Sequence, residues 1–222
     1  MGIMSVENTD RLLWLGRYSE RVYTTLRLFA NYFDSMIDMN GDKYEEFCRS
    51  QDIPNIYTSL EDFSRRYCFD AEDINSIYSN LMRAYDNAIV LREEIGSETL
   101  SYIQLAVYAM NKAATQDAPL LTLQKVSDNI AAFWGIADDT IDDSQVRDLI
   151  KLGKRIERID IYGRLHMKKD ELKREVKRLN TRIGTLALRY DHKKLMHINY
   201  LVEEDEPDYK LIVEEVEALI GE

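Results

Sequence analysis

Glycine, proline and cysteine are scarce in this chain of 222 residues, numbering 9, 3 and 2. So few turn-forming residues exclude an all-β chain, which would have to reverse direction every ~8–12 residues. The two cysteines, Cys48 and Cys68, lie 20 residues apart without C-x-x-C spacing. They signal neither a zinc knuckle nor a dithiol redox centre and read as reduced structural thiols. No apolar run reaches the ~20 residues of a membrane span. No basic segment leads into an apolar one at the start, so the expectation is a cytoplasmic protein. Positive charge is the minority: 29 Lys and Arg against 40 Asp and Glu leave −11 at pH 7. That balance disfavours neutralising a phosphate backbone, and nucleic acid is not an expected partner. G-x-S-x-G, Walker and G-x-G-x-x-G motifs are missing, so no cofactor is expected and any ATP would belong to a partner. The Glu-x-x-His pairs of a di-iron bundle are missing too.

What remains is rich in helix-forming pattern. Hydrophobic residues make up 45% and charged residues 31%, enough for a packed core burying roughly 70% of the unfolded surface. Asn8-Thr9-Asp10 and Asn40-Gly41-Asp42 bracket a helix of roughly 45 Å. Its apolar stripe runs through Leu12, Leu15, Val22, Leu26, Phe29, Phe33 and Ile37. Short helices fit between Asp42 and Asp70. Ile74, Ile77, Leu81, Tyr85 and Ala88 keep helical spacing from Ala71 to about Arg92. Ile95-Gly96-Ser97 is either a break or a kink before a stretch reaching Ala114. Beyond a loop, Thr115-Gln-Asp-Ala-Pro119, further helices run to about Asp138, from Asp142-Asp143-Ser144 to about Met167, through Leu172, Val176, Leu179, Ile183 and Leu186, and from Tyr209 to Ile220. The expected architecture is all-α, a single-domain bundle of six or more helices over 1–222.

One pattern is echoed. Leu15-Gly16-Arg17-Tyr18-Ser19-Glu20-Arg21 returns as Leu152-Gly153-Lys154-Arg155-Ile156-Glu157-Arg158, 137 residues later, and Arg27-Leu28 as Arg164-Leu165. That offset exceeds any solenoid period, so two distant helices are expected to carry one chemical face as pseudo-symmetric partners. Arg17, Glu20 and Arg21 share a helix surface at spacings of three and four. Arg17 points nearly opposite the apolar stripe, yet Leu13, Trp14, Thr24 and Leu28 lie on its side. A second contact surface or a cleft is implied. Gly16 and Gly153 each cost about 1 kcal/mol inside a helix, which makes sense where another chain segment approaches closely.

These motifs resemble the alpha-E family, all-helical bacterial proteins, over nearly the whole chain. Arg11-Leu-Leu-Trp-Leu-Gly-Arg17-Tyr-Ser-Glu20-Arg21 is similar to the family's E-R-L-Y-W-L-G-R-Y-x-E-R, with Asp10 at its first Glu. Asp86-Asn87-Ala88 and Leu91-Arg92-Glu93-Glu94-Ile95-Gly96-Ser97-Glu98 resemble N-A-R-x-V-R-E-x-I-S-x-E. Phe133-Trp-Gly135-Ile-Ala-Asp138-Asp-Thr140-Ile141 resembles F-x-G-x-x-D-x-T-M. Ile89, Gly96 and Leu100 depart from the family's Arg, Ser and Trp. The resemblance implies an accessory role beside ATP-grasp ligase-like and transglutaminase-like proteins in amide-bond formation or peptide modification.

Two readings of the charged motifs stand open. Arg17, Glu20, Arg21, Arg92, Glu93, Glu98, Lys154, Glu157 and Arg158 converge on one site for a peptide or protein partner, the arginines gripping a carboxylate or phosphate. Otherwise they form interhelical ion pairs that fix register. Asp138-Asp139-Thr-Ile-Asp142-Asp143 matches the D-D-x-x-D by which helical prenyl-transfer enzymes hold magnesium, with Asp34-Ser-Met-Ile-Asp38 as a second cluster. A purely structural interaction module is the third possibility. Lys168, Lys169, Lys173, Arg174, Lys177, Arg178 and Arg182, interleaved with Asp170, Glu171 and Glu175, read as a solvated face or a dock for an acidic partner or the chain's own Glu203–Glu206 segment.

Overall fold

The computed structural model describes residues 5–38, 43–116 and 119–221, with side chains from 30 to 38 left aside. The expected stop at Asn40-Gly41-Asp42, the stripe positions Phe33 and Ile37, and the side chains of Asp34 and Asp38 lie outside the described residues. Ten α-helices and no strand are present among the described residues: α1 (Val6–Asp38), α2 (Lys43–Ser50), α3 (Leu60–Phe69), α4 (Ile77–Val90), α5 (Arg92–Ala114), α6 (Leu120–Thr140), α7 (Ser144–Arg164), α8 (Lys169–Ile183), α9 (His192–Leu201) and α10 (Tyr209–Glu217). None is long and apolar enough to cross a membrane.

Capping chemistry sets the helix ends. Ser5 Oγ accepts the amide of Asn8 at 3.0 Å, so α1 starts ahead of the expected Asn8-Thr9-Asp10 signal. Ser76 Oγ accepts the amide of Ser79 at 3.0 Å and delays α4 to Ile77. Ile74 consequently falls in the preceding turn and is exposed, a correction to the stripe beginning at Ala71. The Ile95-Gly96-Ser97 alternative resolves as a kink, because Gly96 takes φ 78°, a left-handed value that glycine adopts without a Cβ penalty. Asp143 caps α7 through the amide of Gln145 at 2.8 Å. Helix α9, capped by Asp191 on the amides of Lys193 and Lys194, has no counterpart in the periodicity.

Two apolar clusters result. The larger joins the stripe of α1 to α2 through α6, with Phe63 and Phe133 fully buried. The smaller gathers Leu13, Leu152, Ile156, Leu172, Val176, Leu179, Ile198 and Ile212 from α1 and α7 through α10. Helices α1 and α7 contribute to both, so the seam between them joins the clusters. Cys48 and Cys68 are free thiols in the first cluster, and burial pushes the Cys48 thiol up to about 11.

Candidate functional site

The seam begins with two glycines. A Cβ on Gly16 would stand 2.0 Å from Ile150 O and 3.1 Å from Lys154 N; one on Gly153 would stand 2.0 Å from Leu13 O and 3.1 Å from Arg17 N. Each glycine therefore lets the other helix's backbone into the space a side chain would fill. Such proximity carries the motif side chains across the interface. Arg17 Nε donates to Glu157 Oε2 at 2.9 Å, and Arg21 Nε donates to Glu157 Oε1 at 2.5 Å. In the other direction Arg158 Nε donates to Glu20 Oε1 at 2.5 Å, an oxygen that also accepts Thr24 Oγ1 at 2.6 Å. Glu20 and Glu157 are completely buried. Burial opposes the Glu157 charge, yet Arg21 and Arg17 outweigh it and hold the carboxyl below the usual range.

The remaining motif cations differ from one another. Arg17 lies over Trp14, 4.5 Å from the ring centroid, and Lys154 over Trp134 at 3.9 Å. Burial, with Arg158 and Arg155 adding to it against Glu20, brings the Lys154 ammonium down to about 7. Arg155 and Arg178 both donate to Glu175 at 2.7 Å. Glu175 is buried, which corrects its assignment to a solvated basic face: it turns inward because α8 packs its apolar face on α7. Lys169 reaches Glu203 O at 3.0 Å, and Lys173 pairs with the Glu203 carboxylate, so part of that face docks the chain's own acidic segment.

Arg92, Glu93 and Glu98 do not join this cluster, a correction to the single convergent site. The turn at Leu91 and the Gly96 kink carry them to solvent at the start of α5, where Arg92 Nε donates to Ser97 Oγ at 3.0 Å. Glu93 and Glu98 line a separate open hollow of about 850 Å³ with Glu94, Asp142 and Asp143. At the D-D-x-x-D pattern, Asp138 pairs with Lys151, and the adjoining Asp143 caps α7. No group of three His, Cys, Asp or Glu that could hold a metal occurs among the described residues.

One end of the ion-pair cluster opens. Arg21 and Glu157 form part of the wall of a polar chamber of about 240 Å³, together with Gln51, Tyr67, Asn80, Asp160, Arg164 and Glu217. Arg164 donates to Asp160 at 2.9 Å and to Glu217 at 2.8 Å. Burial, then the Glu157 charge and more weakly Glu217, pushes the Asp160 carboxyl up to about 6 against the pull of Arg164. Asp52, Arg164 and Glu217 also border an outer hollow of about 420 Å³ that carries Arg49, His166, Tyr209, Lys210 and Glu214. His166, in left-handed backbone at φ 48°, stacks on Tyr209 with centroids 4.8 Å apart. Sequence reasoning missed Asp160 and Gln51, and read Arg164 only as part of the echo. A signal existed on α7: Glu157, Asp160 and Arg164 are spaced three and four apart, one polar strip running off the motif.

A profile of the Alpha-E family, described as a predicted alpha-helical domain with a conserved ER motif, matches residues 4–191. The chain belongs to the Alpha-E family. Its two Glu-Arg pairs, Glu20-Arg21 and Glu157-Arg158, are the ones that interlock across α1 and α7. The Alpha-E match ends before His192, so α9 and α10 lie beyond it, and α10 is the helix that brings Tyr209 and Lys210 to the outer hollow and Glu217 to both. No curated protein and no solved structure matches the chain.

Proposed function

We propose that this Alpha-E chain is an accessory protein of an amide-forming or peptide-modifying system, and that it receives a peptide or a protein partner of the ATP-grasp ligase-like or transglutaminase-like kind. In this reading Arg17, Glu20, Arg158 and Lys154 hold α1 against α7 as pseudo-symmetric partners, while Arg21 and Glu157 serve both the lock and the binding chamber. The observation that carries it is that the inner chamber and the outer hollow share Asp52, Arg164 and Glu217 in their walls. Two adjoining polar hollows of about 240 and 420 Å³ suit an extended segment better than a flat protein face. The mixed lining of arginine, carboxylate, amide and phenol offers a peptide both donors and acceptors.

The test leaves the buried pairs alone. Arg49 and Lys210 stand at the outer hollow and are exposed. Purified ATP-grasp ligase-like protein from the same organism is expected to co-elute with the wild-type chain, and the Arg49→Glu/Lys210→Glu variant is expected to bind it at least ~10-fold more weakly, the loss of about 1.4 kcal/mol. Equal binding by both proteins, or none by either ligase-like or transglutaminase-like partners, refutes the assignment. The prenyl-transfer reading loses its support because Asp138 pairs with Lys151 and no group of three His, Cys, Asp or Glu that could hold a metal occurs among the described residues.

A further inference from the structure

We infer that the inner chamber is a carboxylate-binding site, in which Arg21, Gln51 and Arg164 receive the terminal carboxylate of a peptide and Asp160 takes up the accompanying proton. The inference rests on the peptide-receiving reading above and specifies which end of the peptide enters.

Unused donors carry the argument. Gln51 Nε2 is buried in the chamber wall with no hydrogen-bond partner. A buried amide donor left unpaired is costly, and an entering acceptor would offset that cost. Arg21 engages Glu157 through Nε; its Nη1 reaches Asn80 Oδ1 only at 3.4 Å, leaving guanidinium hydrogens for a ligand. Arg164 engages Asp160 and Glu217 through Nε and Nη2, whereas its Nη1 stands 3.8 Å from Asp52, beyond hydrogen-bond reach. Two arginines and one amide thus line the same space, from α1, from the turn after α2 and from α7. An acceptor-rich planar group fits that set, and a carboxylate takes hydrogen bonds from guanidinium edges with favourable geometry.

The objection is charge. Asp160 faces Glu157 and Arg164 on its own helix, Glu217 on α10 and Arg21 on α1, with Asp52 close to Arg164. A second carboxylate arriving beside Asp160 and Glu217 would be repelled if all were ionised. Asp160 lessens the conflict: burial and the Glu157 charge push its carboxyl up to about 6, and in its protonated form it donates a hydrogen bond to the newcomer instead of repelling it, while Arg21 and Arg164 face the remaining carboxylates. Binding is therefore coupled to uptake of one proton. An ammonium ligand would show the reverse linkage, releasing the proton.

The experiment is an NMR titration of the full chain that follows the Gln51 side-chain amide, using acetate, N-acetyldiglycine, N-acetyldiglycinamide, glycinamide and inorganic phosphate. N-acetyldiglycine is expected to bind saturably, more tightly than acetate because its backbone occupies the outer hollow, while the amide and the cation leave the signal unmoved. With Asp160 titrating at about 6 and binding requiring its proton, the dissociation constant should rise about 25-fold from pH 5.5 to 7.5. Gln51→Glu, a similar shape with a repelling charge, should weaken binding at least ~10-fold, and Asp160→Asn should bind with no pH dependence. Tighter binding of acetate than of the peptide acid overturns the peptide assignment. Preference for phosphate, equal binding of the amide, binding of glycinamide, or no saturable shift with any probe overturns the carboxylate site. These outcomes are independent of ligase co-elution, so the accessory role and the chamber chemistry can fail separately.

Discussion

Gly153→Ala is the sharpest perturbation of the seam. In an isolated helix the change would be favourable by about 1 kcal/mol. Here the added Cβ would sit 2.0 Å from Leu13 O and 3.0 Å from Leu13 C. Both are backbone atoms of α1, so no side-chain rotation relieves the clash and the helices must part by roughly 1 Å or more. Overpacking of this kind costs about 1–3 kcal/mol. The parting also stretches the Arg17 and Arg21 contacts to Glu157 and the Arg158 contact to Glu20, and a buried pair pulled apart costs about 3–5 kcal/mol. Net destabilisation of about 3–7 kcal/mol is expected after the propensity gain, read by urea unfolding followed by circular dichroism. For a chain of this length, 3 kcal/mol lowers Tm by roughly 6–12 °C. Gly135→Ala is the matched control, since its Cβ meets nothing within 4 Å on α6; it should hold Tm or raise it by roughly 2–4 °C. A Gly153→Ala protein as stable as the control would refute the close-approach argument and the ion-pair geometry built on it.

Glu157→Gln leaves buried Arg17 and half-buried Arg21 side by side without their shared carboxylate, so a loss of about 3–5 kcal/mol is expected at pH 7 by chemical denaturation. As Glu157 is held below its ordinary value, that contribution is present above pH ~4.5 and is lost as pH falls through the lower folded value. Asp160 has the opposite sign. Its folded value of about 6 lies above the unfolded 3.8, so the native state binds its proton more tightly and this group's share of stability is full below pH ~4. It falls by roughly 3 kcal/mol as pH rises through 6, then stays level. Asp160→Asn should remove that slope between pH 4 and 7 in urea titrations; an unchanged slope would place the titration elsewhere.

Helix content and much of the core were legible because periodicity reports on burial directly. Leu12, Leu15, Val22 and Leu26 are buried on one stripe of α1, and Leu172, Val176, Leu179 and Ile183 on one face of α8. Ile74 misled for a local reason: its spacing fits the helix, but Ser76 supplies the cap and begins α4 after it. Glu175 misled for a tertiary one, since a glutamate among lysines and arginines looks solvated until α7 brings Arg155 to it.

The chain alone fixed which residues each helix offers to its neighbours: local spacing settles the face of Arg17, Glu20 and Arg21, and the glycine one turn before Glu20 marks where a backbone can come near. It did not fix their partners. Glu157 meets Arg17 and Arg21, Glu20 meets Arg158, and Arg92 meets none of them, because those distances depend on how α7 crosses α1 and how Gly96 turns α5 aside. Apart from the Glu157, Asp160 and Arg164 strip of α7, the chamber belongs to the tertiary structure. Gln51, Asn80, Asp160 and Glu217 come from four separate segments, and no local pattern can encode an enclosure whose walls meet only when those segments pack.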